Sequence, residues 1–248
     1  MKTQRPTQQI YSNYTKQDFK VWKTLFDRQL ELLKPIVSVE YLNALQTVNF
    51  KPDKIPNFEE VNIALKNSTS WALHVVPNIS EQKEFFNFLS QKKFTTTCWL
   101  RSMNQLDYLE EPDMFHDVFG HVPLLTNTAY VGFFKGISDI ALKNSDNKRA
   151  IELLGRLYWF TIEFGLIMEE GELKIYGAGI ISSKGETDHC LSNDARQLPF
   201  DIQTIFDTTY RTDVFQETYF VIDSFQQLYN SLEKIELLLH DNTLQITE

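Results

Sequence analysis

The chain has 248 residues, 42% of them hydrophobic and 23% charged, and 24 Lys and Arg against 33 Asp and Glu leave a net charge of −9. At roughly 150 residues per domain this length allows one compact unit or two, and the composition excludes collagen, low-complexity disorder and a bare coiled coil. The acidic balance argues against nucleic acid as a main partner, since phosphate binding needs a basic face, and no run approaches the roughly 18 apolar residues of a membrane span.

From the N-terminus, residues 1–14 are polar and lack the apolar core of a signal peptide. They read as a flexible arm ahead of a single unit over 15–248, in a protein expected in the cytoplasm. From about Asp18, the residues Phe19, Trp22, Leu25, Phe26, Leu30 and Leu33 recur at three- and four-residue steps and predict a helix. Pro35 interrupts it. Val39, Leu42 and Leu45 suggest a second helix, Pro52 and Pro56 mark a loop, and a short helix is expected near 58–66. WALHVV (71–76) reads as a strand, Ser80 as the N-cap of a helix through about Ser90, and FTTTCWL (94–100) as another strand. Longer helices are expected over 127–143 and 147–168. A strand followed by a glycine turn is expected in 173–181, a strand at 218–223, and a last helix over 224–240. No repeat or linker divides the chain, so the expected fold is one mostly α domain with minor β. Cys98 and Cys190 are too few for a disulfide framework and read as buried thiols.

The densest chemistry lies in EEPDMFHDVFGHVPLL, residues 110–125. Pro112 suits the first turn of a helix and Asp113 favours its dipole; Gly120 suits the residue after its end, and Pro123 stops continuation. His116 and His121 are five apart, not the four of a helical HExxH zinc pair. On an ideal α-helix they diverge by roughly 140°, so they converge only if the chain leaves the helix near Gly120. Two unrelated histidines are the alternative. In LYWFTIEFGL (157–166), Glu163 stands among large apolar and aromatic residues. A carboxylate there costs several kcal/mol unless it is paired, snorkels to water or ligates a metal. Two imidazoles and one carboxylate together make the three-ligand face that holds non-haem Fe(II) and leaves other positions open.

EPDMFHDVFGHVPLL, LYWFTIEFGL and YGAGIISSKGE (176–186), in that order, resemble the pterin-dependent aromatic amino acid hydroxylases, and are most similar to the bacterial members that act on phenylalanine. The likeness runs from about Tyr14 to about Leu228 and includes LRSMNQLDYLEEPD and YRTDVFQETYFVIDSF. It implies a helical basket with a small sheet around an iron cleft, and hydroxylation of L-phenylalanine to L-tyrosine with Fe(II), a tetrahydropterin and O2. By motif, His116, His121 and Glu163 are the implied iron ligands. Arg101 is the implied partner of the substrate carboxylate, oriented by Asp113, while Trp159 lines the ring pocket and Ser182 sits beside the amino acid and a ligand histidine. Phe85, Tyr158 and Asp117 are the implied pterin contacts, and Glu186 and Tyr210 match residues around the cleft. Thr212 stands where phenylalanine enzymes carry an aliphatic residue and tyrosine enzymes an Asp. His189–Cys190 reads as structural. The tetramerisation helix of the animal enzymes is not seen, so a monomer is expected. Turnover of tyrosine or tryptophan in the same cleft, a zinc hydrolase using the same triad, and a non-catalytic aromatic amino acid or pterin sensor are the competing readings.

Overall fold

The computed structural model describes residues 5–107 and 109–244. The first helix, α1 (Lys16–Leu33), starts at a capping box in which Thr15 and Asp18 satisfy each other's backbone N–H groups, and its apolar face buries Val21, Trp22, Leu25, Phe26 and Leu33. Ser38 caps α2 (Val39–Thr47) and Asn57 caps α3 (Phe58–Ser68). The strand β1 (Ala72–Val75), helix α4 (Gln82–Ser90) and parallel strand β2 (Lys93–Thr96) follow as a crossover unit. Asn127 then caps α5 (Thr128–Lys143) and Asn147 caps α6 (Lys148–Tyr158).

The rest of the chain interleaves short helices with a second sheet. In order come β3 (Gly165–Glu169), β4 (Glu172–Ile175), α7 (Ala178–Ile181), α8 (Lys184–His189), β5 (Arg196–Pro199), α9 (Ile202–Asp207), β6 (Thr218–Ile222), α10 (Phe225–Asn230) and α11 (Leu232–Leu244). The strand order is β4-β3-β6-β5, antiparallel only in the β3–β4 hairpin. Mostly α with minor β is therefore the architecture. Among the described residues no helix is long and apolar enough to cross a membrane.

Several expectations are corrected. The helix expected over 147–168 ends early: residues 165–169 form β3, and Glu170 (φ 52°) with Gly171 (φ 84°) turns the chain into β4. A two-residue turn with both central φ angles positive matches the twist of a hairpin, and Gly171 was its sequence signal. Ser80 is not the cap of α4. Glu81 holds that position, with no side-chain cap bond. The last helix is two, parted at Ser231, whose hydroxyl turns back to the Leu228 carbonyl at 2.7 Å. Of the second predicted strand, 94–100, only 94–96 pairs with β1, and β2 starts one residue earlier at Lys93. Of the arm expected over 1–14, residues 1–4 lie outside the described residues. Gln9 donates to the Pro56 carbonyl at 2.9 Å, and the Tyr14 hydroxyl to the Cys98 carbonyl at 2.8 Å, so residues 5–14 lie against the body.

Candidate metal centre

The convergence of His116 and His121 has a different cause from the one their spacing suggests. Residues Phe115–His121 form a π-helical turn, so Gly120 does not end the helix before His121 but lies inside the turn. An i→i+5 hydrogen-bonding pattern brings residues five apart close to one full turn. The spacing that separates two side chains on an α-helix thus aligns them here. Glu163 closes a second π-turn, Trp159–Glu163, where the Phe164 N–H donates to the Trp159 carbonyl at 2.9 Å.

Both turns press on the segment 176–182. A Cβ on Gly120 would stand 2.9 Å from the Ala178 carbonyl oxygen, and one on Gly177 only 2.4 Å from that of Glu163. Glycine is required at each position by close backbone approach. Behind the first turn, Trp22 and Phe26 of α1 meet Phe115 and Phe119 at 5.6 and 5.3 Å between ring centroids. The Tyr41 hydroxyl donates to the Phe119 carbonyl at 2.7 Å. The side chains are therefore carried by wide turns locked into the core.

The three predicted ligands meet. His116 Nε2 is 3.4 Å from His121 Nε2; Glu163 Oε1 is 3.2 Å from His121 Nε2, and Oε2 is 3.7 Å from His116 Nε2. Such separations suit three donors sharing one ion at bond lengths of about 2.0–2.2 Å. Ser182 settles the tautomer of His116. Its hydroxyl donates to the Ala178 carbonyl at 2.8 Å, so Ser182 Oγ, 2.8 Å from His116 Nδ1, accepts from that nitrogen. His116 Nδ1 then carries the proton and Nε2 keeps its lone pair facing the other ligands. Burial pushes the His116 imidazolium down to about 4, so the ring is neutral at pH 7. Burial alone would raise the Glu163 carboxyl, but His121, then His116 and the Tyr158 hydroxyl, hold it below the usual carboxylate range. A neutral imidazole and an ionised carboxylate are the ligating forms, and His, His and Glu are the donor set of a three-ligand metal face.

The other predicted residues surround this face. Beyond β2 the chain stays extended and is tied at alternate residues. The Thr97 N–H donates to Asp117 Oδ2 at 2.7 Å, the Met114 N–H to the Trp99 carbonyl at 2.9 Å, and the Arg101 N–H to Asp113 Oδ2 at 2.8 Å. The period of two puts all three on one side of the segment. Arg101, 8% exposed, grips the fully buried Asp113 through Nε at 3.0 Å and Nη2 at 2.8 Å. This fork spends the Nε edge of the guanidinium, and Nη1 donates one N–H to the Leu106 carbonyl at 3.4 Å; one N–H each on Nη1 and Nη2 remains, and a planar carboxylate fits such a pair. Asp117 also accepts from the Thr97 hydroxyl at 2.9 Å, and desolvation nevertheless pushes its carboxyl up to about 7.

Phe85 of α4 meets Tyr158 edge to face at 5.4 Å, and Tyr158 stacks on Phe134 at 5.7 Å. Trp159 stacks on Tyr210 at 4.4 Å and packs on Phe164 at 4.6 Å. Nine of the ten predicted residues thus lie on the two π-turns or on segments bonded or joined to them, while Phe85 reaches them only through Tyr158. Sequence reasoning missed Gln216, a buried side chain whose amide oxygen accepts from Trp159 Nε1 at 2.9 Å. A lone glutamine at the end of an exposed run carries no periodic signal. His189, read as structural, stacks on Phe215 at 5.4 Å and donates to the Gln216 carbonyl at 3.1 Å.

Comparison with known proteins agrees over nearly the whole chain. The model of the biopterin-dependent aromatic amino acid hydroxylase family matches residues 2–243. The phenylalanine-4-hydroxylase of Ralstonia nicotianae is 42% identical over 225 residues, which is 90% of this chain and 72% of that protein. The Chromobacterium violaceum enzyme of the same name is 42% identical over 224 residues, 90% of this chain and 75% of that one. A crystal structure of the C. violaceum enzyme with bound iron(III) and 7,8-dihydrobiopterin superposes with a TM-score of 0.89 at 40% identity, covering 96% of this chain and 87% of that chain.

Proposed function

The chain belongs to the biopterin-dependent aromatic amino acid hydroxylases, and from that premise we propose that it is a phenylalanine 4-monooxygenase converting L-phenylalanine to L-tyrosine at one non-haem iron. The observation that carries the reading is the convergence of His116, His121 and Glu163 within 4.8 Å of one another, beside the Arg101 fork. In this reading those three side chains hold the iron, and Arg101, aligned by Asp113, holds the carboxylate of the amino acid. Phe85, Tyr158 and Asp117 bind the tetrahydropterin, and residues 15–248 form the catalytic unit.

Iron(II), with a reduced pterin beside it, supplies the electrons that activate O2. The chain's own contribution is placement. Ser182 keeps His116 in the Nδ1–H tautomer, so one ring nitrogen always faces the metal side. The Arg101 fork fixes the amino acid at its carboxylate end, and the Trp159 ring, four residues before Glu163, bounds the space for the aromatic end. Proximity and fixed orientation of this kind can supply several kcal/mol of a reaction barrier. Phe94 packs on the His121 ring at 4.9 Å, with Phe134 stacked behind it at 6.1 Å and Tyr158 on Phe134 at 5.7 Å, an apolar surround of the kind that guards a strong oxidant against side reactions.

An aerobic assay with Fe(II), a synthetic tetrahydropterin and each of Phe, Tyr and Trp tests the proposal. Conversion of Phe to para-tyrosine that needs both iron and pterin is the expected result. Preference for Tyr would move the substrate assignment, and no hydroxylation of any of the three with iron bound would favour the sensor reading.

A further inference from the structure

Residues 209–215 are exposed without interruption, and the next residue, Gln216, is only 5% exposed. Its side chain spends three of its four hydrogen-bonding positions. The amide oxygen accepts from the Trp159 indole at 2.9 Å. The amide nitrogen donates to the Arg211 carbonyl at 2.7 Å and to the Val214 carbonyl at 3.2 Å. One side chain therefore bonds an aromatic ring of the Glu163-bearing turn and the backbone of the exposed loop together.

The backbone of Gln216 is itself anchored. Its N–H donates to Glu186 Oε1 at 3.1 Å, and its carbonyl accepts from His189 Nε2 at 3.1 Å. Glu186 also accepts from the Tyr219 hydroxyl. Outside this anchor, Phe215 lies over Gly185, where a Cβ would stand 2.7 Å from the ring. The loop's own Arg211–Asp213 ion pair is open to solvent at 68% and 64% side-chain exposure and holds it weakly. Tyr210, at the loop's start, stacks on the same indole at 4.4 Å. The indole is thus held at its face by the loop and at its N–H by Gln216.

We propose that Gln216 is a positioning residue for the hydroxylation: it clamps the Trp159 indole to the 211–214 loop and so sets the width of the space that receives the substrate's aromatic ring. The inference rests on the functional reading above. Gln216 touches neither the ligands nor, in this account, the substrate. It acts through Trp159 and the loop backbone. Without the clamp the indole turns about its side-chain torsions, the space widens, and the ring is held less often in the reactive pose.

The test uses the full chain, with Gln216→Met, which keeps length and volume but makes none of the three bonds, and Gln216→Glu, which keeps an acceptor for the indole and loses both donors to the loop. The first readout needs neither metal nor turnover: ¹⁹F NMR of 5-fluorotryptophan-labelled protein, with the Trp159 signal identified by its loss in Trp159→Phe. Gln216→Met is expected to shift or broaden that signal and leave the other three tryptophans in place, with Gln216→Glu moving it less. The second readout is kinetic. In Gln216→Met the KM for phenylalanine rises roughly five- to tenfold, the change expected from losing one or two neutral hydrogen bonds, with a smaller change in kcat. Tyrosine formed per pterin oxidised also falls. In a Trp159→Phe background the Gln216→Met change shrinks, as coupling through the indole requires.

An unmoved Trp159 resonance, or an unchanged KM and product yield in Gln216→Met, would overturn the proposal. Should Gln216→Met not fold, the same two criteria apply to Gln216→Glu. An unmodified chain that binds iron yet hydroxylates nothing would instead count against the functional reading, and the fluorine spectrum would still report whether the clamp exists.

Discussion

The two sides of the cleft are built in opposite ways. The metal side is two π-turns sunk in the core, with His121 2% exposed and Phe115, Val118 and Phe119 fully buried. Their backbones are fixed by the packing of Phe115, Val118, Phe119, Phe160 and Ile162 and by close contacts that only glycine allows, while His116, Glu163 and Trp159 stay partly exposed. The loop side is a run of exposed residues whose place depends on a few hydrogen bonds gathered by one buried amide. The difference separates two demands. Ligands must be rigid so that three donors stay within bonding reach of one ion, whereas an exposed loop with few buried contacts, such as 209–215, belongs to the low-stability end of a structure.

Substitutions on the two sides should therefore differ in kind. Glu163→Ala is expected to have the largest effect. It leaves two imidazoles for the ion, so bound iron falls from about one per chain to almost none, and tyrosine formation falls to background. Metal analysis and product chromatography on one sample check both. Ser182→Ala frees His116 to take either tautomer, and affinity for Fe(II) should drop by roughly 10- to 100-fold, read from a metal titration with folding intact. Unchanged affinity would show that the Ser182 contact does not orient the ligand.

Gly177→Ala forces a methyl group against the Glu163 carbonyl, for about 1–3 kcal/mol of strain and a melting temperature several degrees lower. A loop substitution gives the contrast: Thr212→Ala, exposed on the far side, should change stability by no more than about 0.5 kcal/mol. Comparable melting losses for the two variants would break the division between the sides.

The two thiols give the smallest signal. Burial pushes Cys98 up to about 11 and Cys190 up to about 12. A thiol raised on folding stabilises the native state below its unfolded value, and that contribution is lost as pH climbs through the alkaline range above roughly 8.5. At pH 8 neither thiol should react with a disulfide reagent in the folded protein, and both should react in urea. Fast native labelling of either one would contradict its burial.

Much of this site was legible in the sequence, and the limits of legibility are physical. His116, His121 and Glu163 stand in segments where residue type alone is telling: a carboxylate among aromatics needs a partner, and two histidines five residues apart in one short apolar segment demand an account. What spacing rules mistook was the backbone that unites them. A π-turn has no composition signature, so the five-residue spacing looked like divergence until the wider turn was seen. The strand at 165–169 hid behind apolar residues that suit helix and strand equally, and only Gly171 marked the hairpin. Gln216 was invisible for another reason. Its importance comes from Trp159, 57 residues away in sequence, and such long-range pairing leaves no local pattern.

The most direct test of the central claim is anomalous diffraction at the iron edge, on crystals of the full chain loaded anaerobically with Fe(II). One strong peak is expected, bonded to His116 Nε2, His121 Nε2 and a Glu163 oxygen, with the opposite side facing Arg101 and Trp159. A peak ligated by other residues, or none at these three with iron confirmed in the crystal, would contradict it.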